Sequence, residues 1–202
     1  MTPAPESTAA SPSPHPAGYP SDLERVWQPV GGPDLCIRAL RPDDLERERE
    51  FVAHLAPETL YLRLQYRVQF VTAEPKLHEL ERLLDLDYAE RMAIGAFTLG
   101  TGVETLVGVS RYARIAGAPR AECAIVVADA WQGRGVGTEL MRTLMLAAQR
   151  NGIRYLEGSV LAENQRIASW ARRIGFAVHT EPHSGGLVEV TLDITTLPGP
   201  AG

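Results

Sequence analysis

An α/β fold, with a mixed and largely antiparallel central sheet flanked by helices, follows from three features of this chain. Residues 91–128 read as three apolar runs separated by glycine-rich breaks near 100–102 and 116–119, the pattern of an antiparallel meander. From about 135 to 150, Leu140, Leu144 and Ala147 share one helical stripe, widened by Met141, Met145 and Ala148. The strand-like run "IRYLEGSV" follows that helix, so the helix connects two parallel strands in a right-handed unit.

The other elements follow in chain order. Residues 1–21, "MTPAPESTAASPSPHPAGYPS", are proline-, serine- and alanine-rich and read as a disordered tail, leaving a folded domain over 22–197. "RVWQPVGGPDLCIRAL" reads as two short strands around a Gly-Gly-Pro turn. Pro42 opens a helix, with Asp43 and Asp44 near its positive end and Leu45, Phe51, Val52 and Leu55 facing inward. Further helices are predicted from Pro57, with Leu60 and Leu64 inward, and over about 73–85, with Leu77, Leu80 and Leu84 on one stripe. Asn151-Gly152 closes the long helix. Asn164 caps a short one that presents Ile167, Ala171 and Ile174 inward and stops at Gly175. "FAVHTE" and "LVEVTLDI" then form a closing hairpin.

Composition narrows the function. At 202 residues, with 45% apolar and 22% charged residues, the chain suits one globular domain. A formal net charge of -5 gives no basic footprint for a nucleic-acid partner. The apolar runs are too short for a membrane span, and no basic start with an apolar signal core opens the chain, so a cytoplasmic location is expected. Cys36 and Cys123 each lie in an apolar run and read as reduced core thiols, and the five histidines show no metal-ligand spacing.

The chemistry concentrates in "ADAWQGRGVGTEL", where Gly133, Gly135 and Gly137 alternate at the point where a strand ends and a helix begins. A nucleotide P-loop needs Lys-Ser/Thr after the last glycine, and Thr138-Glu139 stands there instead. The dinucleotide fingerprint needs a third glycine where this chain has Thr138 or Leu140, although Glu157 lies at a suitable distance for a ribose contact. Three antiparallel strands ahead of the loop also argue against that fold. The reading that uses Gln132-x-x-Gly135-x-Gly137 whole is a pyrophosphate cradle. Main-chain amides of Gly133, Arg134, Gly135, Val136, Gly137 and Thr138 meet the anion at the positive end of a helix, with no Cβ in the way at the glycines and the Arg134 charge nearby. A plain tight turn is the alternative.

This segment resembles the acyl-CoA-binding motif of the GNAT superfamily of acyl-CoA N-acyltransferases, Gln/Arg-x-x-Gly-x-Gly/Ala. The preceding "AECAIVVAD", the later "NQRIASWARRIGF" and the element order over about 35–195 match that family as well. "IRALRPDD", "LAPETLYLR" and "ERMAIGAF" are similar to the Pat-type protein lysine acetyltransferase domain. The resemblance implies a GNAT fold whose fourth and fifth family strands form a splayed parallel pair, with acetyl-CoA as co-substrate and no metal. It implies transfer of an acetyl group to an amine, expected to be a protein lysine side chain, by direct attack on the thioester. A small-molecule amine acetyltransferase and a non-catalytic acyl-CoA-binding module are the competing readings.

The resemblance also assigns residues. Glu122, near the start of an apolar strand, matches the strand glutamate that acts as general base in related histone acetyltransferases; partial burial would raise its pKa into a useful range, and a solvated strand end is its alternative. A main-chain amide around Val126 or Val127 would meet the carbonyl oxygen, and Ile125, Val126 and Val127 would line the pantetheine arm. Asn164 contacts that arm, caps a helix, or does both. Many family members place a tyrosine four residues before the final Gly-Phe to protonate the thiolate; this chain has Ala171 there, so the general acid is unassigned. Tyr61, Arg63, Tyr66 and Glu90 are candidates to shape the amine pocket.

Overall fold

The computed structural model describes residues 15–59, 82–100, 102, 104–179 and 186–197. The expected helix pair with Leu60, Leu64, Leu77 and Leu80, and Tyr61, Arg63 and Tyr66, lies almost wholly outside the described residues. Within them, β1 (Arg25–Trp27), β2 (Leu35–Ala39), α1 (Leu45–Ala53), β3 (Arg91–Thr98), β4 (Leu106–Arg114), β5 (Arg120–Val127), α2 (Val136–Arg150), β6 (Tyr155–Leu161), α3 (Gln165–Arg173), β7 (Ala177–His179) and β8 (Leu187–Asp193) follow one another. The strands form one eight-stranded sheet in the order β1-β2-β3-β4-β5-β6-β8-β7. All pairs are antiparallel except β5 with β6. The closing hairpin is present, but β8 sits between β6 and β7, so the last strand is the one that pairs with the interior.

The central strands are near-continuous apolar runs because both sheet faces are covered. On one face α2 lays Leu140, Met141, Leu144 and Ala148 against Met92, Ile94 and Val107. On the other, Phe51, Leu55 and Leu84 pack on Phe97, Leu106 and Val109. Helix α2 ends at Asn151, whose side-chain amide donates to the Tyr88 carbonyl at 2.8 Å and to the Tyr112 hydroxyl at 2.7 Å, and Gly152 takes the left-handed conformation that follows.

The folded part begins ahead of residue 22, where the tail was expected to end. Tyr19 stacks on His15 at 4.4 Å, meets Tyr88 edge-on and donates its hydroxyl to the Ala39 carbonyl at 3.2 Å. An aromatic ring with a docking place on the sheet gives residues 15–21 the apolar contact that their composition alone does not supply.

Candidate active site

Strands β5 and β6 pair over only three positions, Arg120 with Tyr155, Ala121 with Leu156 and Glu122 with Glu157. Beyond them β5 continues along β4 to Val127 while β6 continues along β8 to Leu161, so the two diverge. Gly158 stands at the fork: a Cβ there would come within 3.0 Å of the Cys123 carbonyl oxygen, closer than side-chain carbons tolerate. The opening is a cleft of about 930 Å³ lined by β5, β6, the glycine loop, α3 and part of β8.

The orientation of the β5 main chain decides which groups face that cleft. Ala128 N–H donates to the Val107 carbonyl, and the Val126 carbonyl oxygen points at Gly108, so alternate residues from 126 backwards present their polar groups to β4. The Cys123 carbonyl faces Gly158, and the Val127 carbonyl accepts from Gln132 Nε2 at 3.0 Å. The polar groups of Cys123, Ile125 and Val127 therefore face the cleft, and those of Val126 do not. Of the two amides expected near the reacting carbonyl, that of Val127 faces the cleft and that of Val126 faces β4.

At the head of the cleft the chain turns twice through positive φ, at Gly133 (75°) and Gly135 (88°), a conformation that any side chain would strain. Helix α2 then starts at Val136 with no side-chain cap, and its first internal bond runs from Glu139 N–H to the Gly135 carbonyl. Among the described residues, nothing accepts from the amides of Gly133, Arg134, Gly135, Val136, Gly137 or Thr138. These donors, four of them on the cleft-lining residues Gly133, Gly135, Gly137 and Thr138 at the positive end of a 15-residue helix, make a seat for a polyanion.

The acetyltransferase (GNAT) domain family model matches residues 34–177. The chain belongs to the GNAT acetyltransferase family. An acetyltransferase of Pseudomonas aeruginosa is 36% identical over 151 residues, 75% of this chain and 79% of that one. Acetyltransferase Pat of Mycolicibacterium smegmatis is 31% identical over 140 residues, 69% of this chain and 40% of that protein, so the chain spans under half the length of that relative. Among solved structures, the GNAT domain of S. lividans PAT superposes with a TM-score of 0.76 at 26% identity, covering 87% of this chain and 99% of that one. The fold is also that of yncA from Salmonella typhimurium, solved with its cofactor acetyl-CoA (TM-score 0.61, 18% identity, 83% and 98% covered).

In this GNAT domain the predicted residues divide into three groups. Ile125, Val126, Val127, Gln132, Gly133, Gly135, Gly137, Thr138, Asn164 and Glu122 all line the cleft. Asn164 is also the α3 N-cap, its Oδ1 accepting from Ile167 N–H at 3.1 Å. Arg134 and Val136 are not in the lining. The Arg134 guanidinium turns back to the β1–β2 loop, donating to the Gly31 carbonyl at 3.3 Å and lying over the Trp131 ring, so its charge is spent on the loop. The Val136 side chain is buried in the core. Glu122 is exposed, not partly buried as expected, because the strand that would cover it diverges immediately after it. Glu90 pairs with Arg114 at 2.9 Å and lies away from the cleft.

Trp170, Asp129, Gly158 and Cys123 are among the cleft residues that the sequence did not point to. Trp170 donates from Nε1 to Thr138 Oγ1 at 3.1 Å, tying α3 to the first turn of α2. It lies three residues after Ile167 on the same helical stripe, which was a usable signal. Asp129 accepts from Ala56 N–H and the Thr59 hydroxyl, and Gly158 opens the fork. Cys123 is partly buried against the core and also lines the cleft, and burial pushes its thiol up to about 12. Iodoacetamide at pH 8 is therefore expected to modify Cys123 at least a hundredfold more slowly in the folded protein than in urea, as read by peptide mass spectrometry.

Proposed function

We propose that the cleft binds acetyl-CoA and that the domain transfers the acetyl group to the side-chain amine of protein lysines. The observation that carries this reading is the run of free amides from Gly133 to Thr138 at the head of a fork between parallel strands. The amides suit the diphosphate. The fork, with main-chain groups of Ile125 and Val127 turned into it, suits the amide-bearing arm as an added strand.

In the reaction the neutral amine attacks the thioester carbon, a C–N bond forms and the C–S bond breaks. Glu122, at the last paired position before the fork, takes the proton of the substrate ammonium. The Val127 N–H meets the carbonyl oxygen as it gains charge. Water carries to the thiolate the proton that the nitrogen sheds as the amide forms, since Ala171 in the tyrosine slot carries no donor and the Trp170 N–H is held by Thr138. Transfer is direct: the cysteine at the cleft, Cys123, stays a thiol at neutral pH and is a poor acyl carrier.

Protein lysine as acceptor is supported by the sequence likeness to Pat and by the exposed carboxylates of Glu58, Glu122, Asp129 and Glu163 in the cleft lining, which outnumber the guanidinium groups of Arg166 and Arg173 there and favour a cationic substrate. Incubation of the enzyme with acetyl-CoA and a whole-cell lysate, followed by mass spectrometry, is expected to give new acetyl-lysine sites. Modification confined to a panel of small amines would replace the protein substrate, and coenzyme binding with no thiol release in either assay would replace catalysis by regulation. Glu122→Gln is expected to lower turnover at least tenfold while the acetyl-CoA Kd stays within threefold; unchanged turnover would remove Glu122 from the mechanism.

A further inference from the structure

Asp129 lies at the foot of the glycine loop, two residues beyond the end of β5, and its carboxylate accepts from a segment 70 or more residues before it in the chain. Oδ2 accepts from the Ala56 N–H at 3.0 Å and Oδ1 from the Thr59 hydroxyl at 2.6 Å. Oδ1 also faces Gln132 Nε2 at 3.4 Å, and the same nitrogen holds the Val127 carbonyl at 3.0 Å. One exposed side chain thus ties the turn at 129–132 to the segment 56–59, whose Glu58 and Thr59 also line the cleft. The contact is not needed to fill the core: both partners are accessible to water, and a solvated Ala56 amide costs little.

We infer that Asp129 is a positioning residue, through which occupation of the glycine loop by coenzyme fixes the 56–59 wall of the cleft. The inference rests on the coenzyme reading of the loop. Coenzyme gripped by the amides of 133–138 removes freedom from the turn that carries Asp129, and a steadier carboxylate holds Ala56 and Thr59 more firmly. The wall is thereby set before the acceptor arrives. The coupling is reciprocal, so its size also bounds the coenzyme affinity lost when the link is cut.

Hydrogen–deuterium exchange with coenzyme A as the probe tests this without knowledge of the acceptor. In the wild type, saturating coenzyme A is expected to slow exchange in residues 54–59 about threefold or more. In Asp129→Ala that response disappears while the coenzyme A Kd, from calorimetry, rises by no more than about threefold. Asp129→Asn keeps one acceptor oxygen for the Ala56 amide and restores at least half of the response; Thr59→Val, which cuts a single arm, lowers it partially. A purely structural role would give faster exchange in Asp129→Ala with and without coenzyme and leave the ratio between the two unchanged. That result, or coenzyme A binding to the wild type with no change at 54–59, overturns the link while the coenzyme reading stands. Failure of coenzyme A to bind the wild type overturns both.

Discussion

Replacing Gly137 with leucine is expected to weaken acetyl-CoA binding at least a hundredfold and to leave the fold as stable as before, or more so. Gly137 is the second residue of α2 and has an ordinary helical backbone, unlike Gly133 and Gly135, whose positive φ would confound any substitution with strain of about 1–3 kcal/mol. A Cβ at this position would lie 3.5 Å from Ile125 Cδ1, 3.6 Å from Val127 Cγ2 and 3.9 Å from Trp170, all ordinary contacts, so the first carbon fits. Those three residues line the cleft, so the rest of the side chain enters the space in front of the free amides of Gly137 and Thr138. Loss of a hundredfold corresponds to about 2.8 kcal/mol, the scale of a few charge-assisted hydrogen bonds to a diphosphate. Leucine in place of glycine adds helix propensity of roughly 0.8 kcal/mol, which is why the melting temperature should not fall. Calorimetry with acetyl-CoA and a thermal melt decide it together. A stable variant that still binds within threefold of wild type would show that the coenzyme does not lie across this turn.

The same loop marks how far local pattern reaches. Three alternating glycines before a periodic helix were sufficient to locate a positive-φ loop leading into a helix start, and the strand–helix–strand order was sufficient to place a parallel pair beside it, since both are properties of contiguous segments. Asn164 was legible as a cap for the same reason. The direction of Arg134 was not: its partner is the carbonyl of Gly31, more than 100 residues away. The exposure of Glu122 was equally hidden. Alternation along β5 says which face a side chain takes, whereas its cover depends on how far β6 follows, and β6 leaves after Glu157. The insertion of β8 between β6 and β7 belongs to the same class, because a hairpin in sequence does not say which of its strands turns inward. Asp129 illustrates the cost for function: nothing near it in the chain announces that its oxygens belong to Ala56 and Thr59.

Asp44→Ala is expected to destabilise the domain by about 3–5 kcal/mol, because it leaves Arg38 buried without its main counter-charge. The two side chains are 1% and 3% exposed and meet through paired bonds, Nη1 to Oδ2 at 2.7 Å and Nη2 to Oδ1 at 2.8 Å. Asp44 also takes the Arg41 N–H at 2.8 Å and Arg47 Nη1 at 3.1 Å, so one carboxylate ties β2 to the start of α1. The guanidinium lies 3.7 Å over the Phe97 ring, and Glu104, at 3.1 Å, is its remaining acidic partner. Burial acts to raise the Asp44 carboxyl, but the hydrogen bonds and charge of Arg38 outweigh it and hold the group below the usual carboxylate range. The folded state therefore binds this proton less readily than the unfolded chain. The stabilisation is fully present above the unfolded value near pH 3.9 and is lost as pH falls through the lower folded value. Urea unfolding at pH 7 should show the full loss in Asp44→Ala, and the gap between variant and wild type should narrow only once the pH drops below about 4. Replacing both partners by leucine removes the stranded charge and is expected to recover most of the loss, since an apolar pair of similar volume is often no worse than the ion pair. A single-variant loss under 1 kcal/mol, or a double variant worse than the single one, would mean that Glu104 and the Phe97 ring alone are sufficient to keep Arg38 charged in the interior.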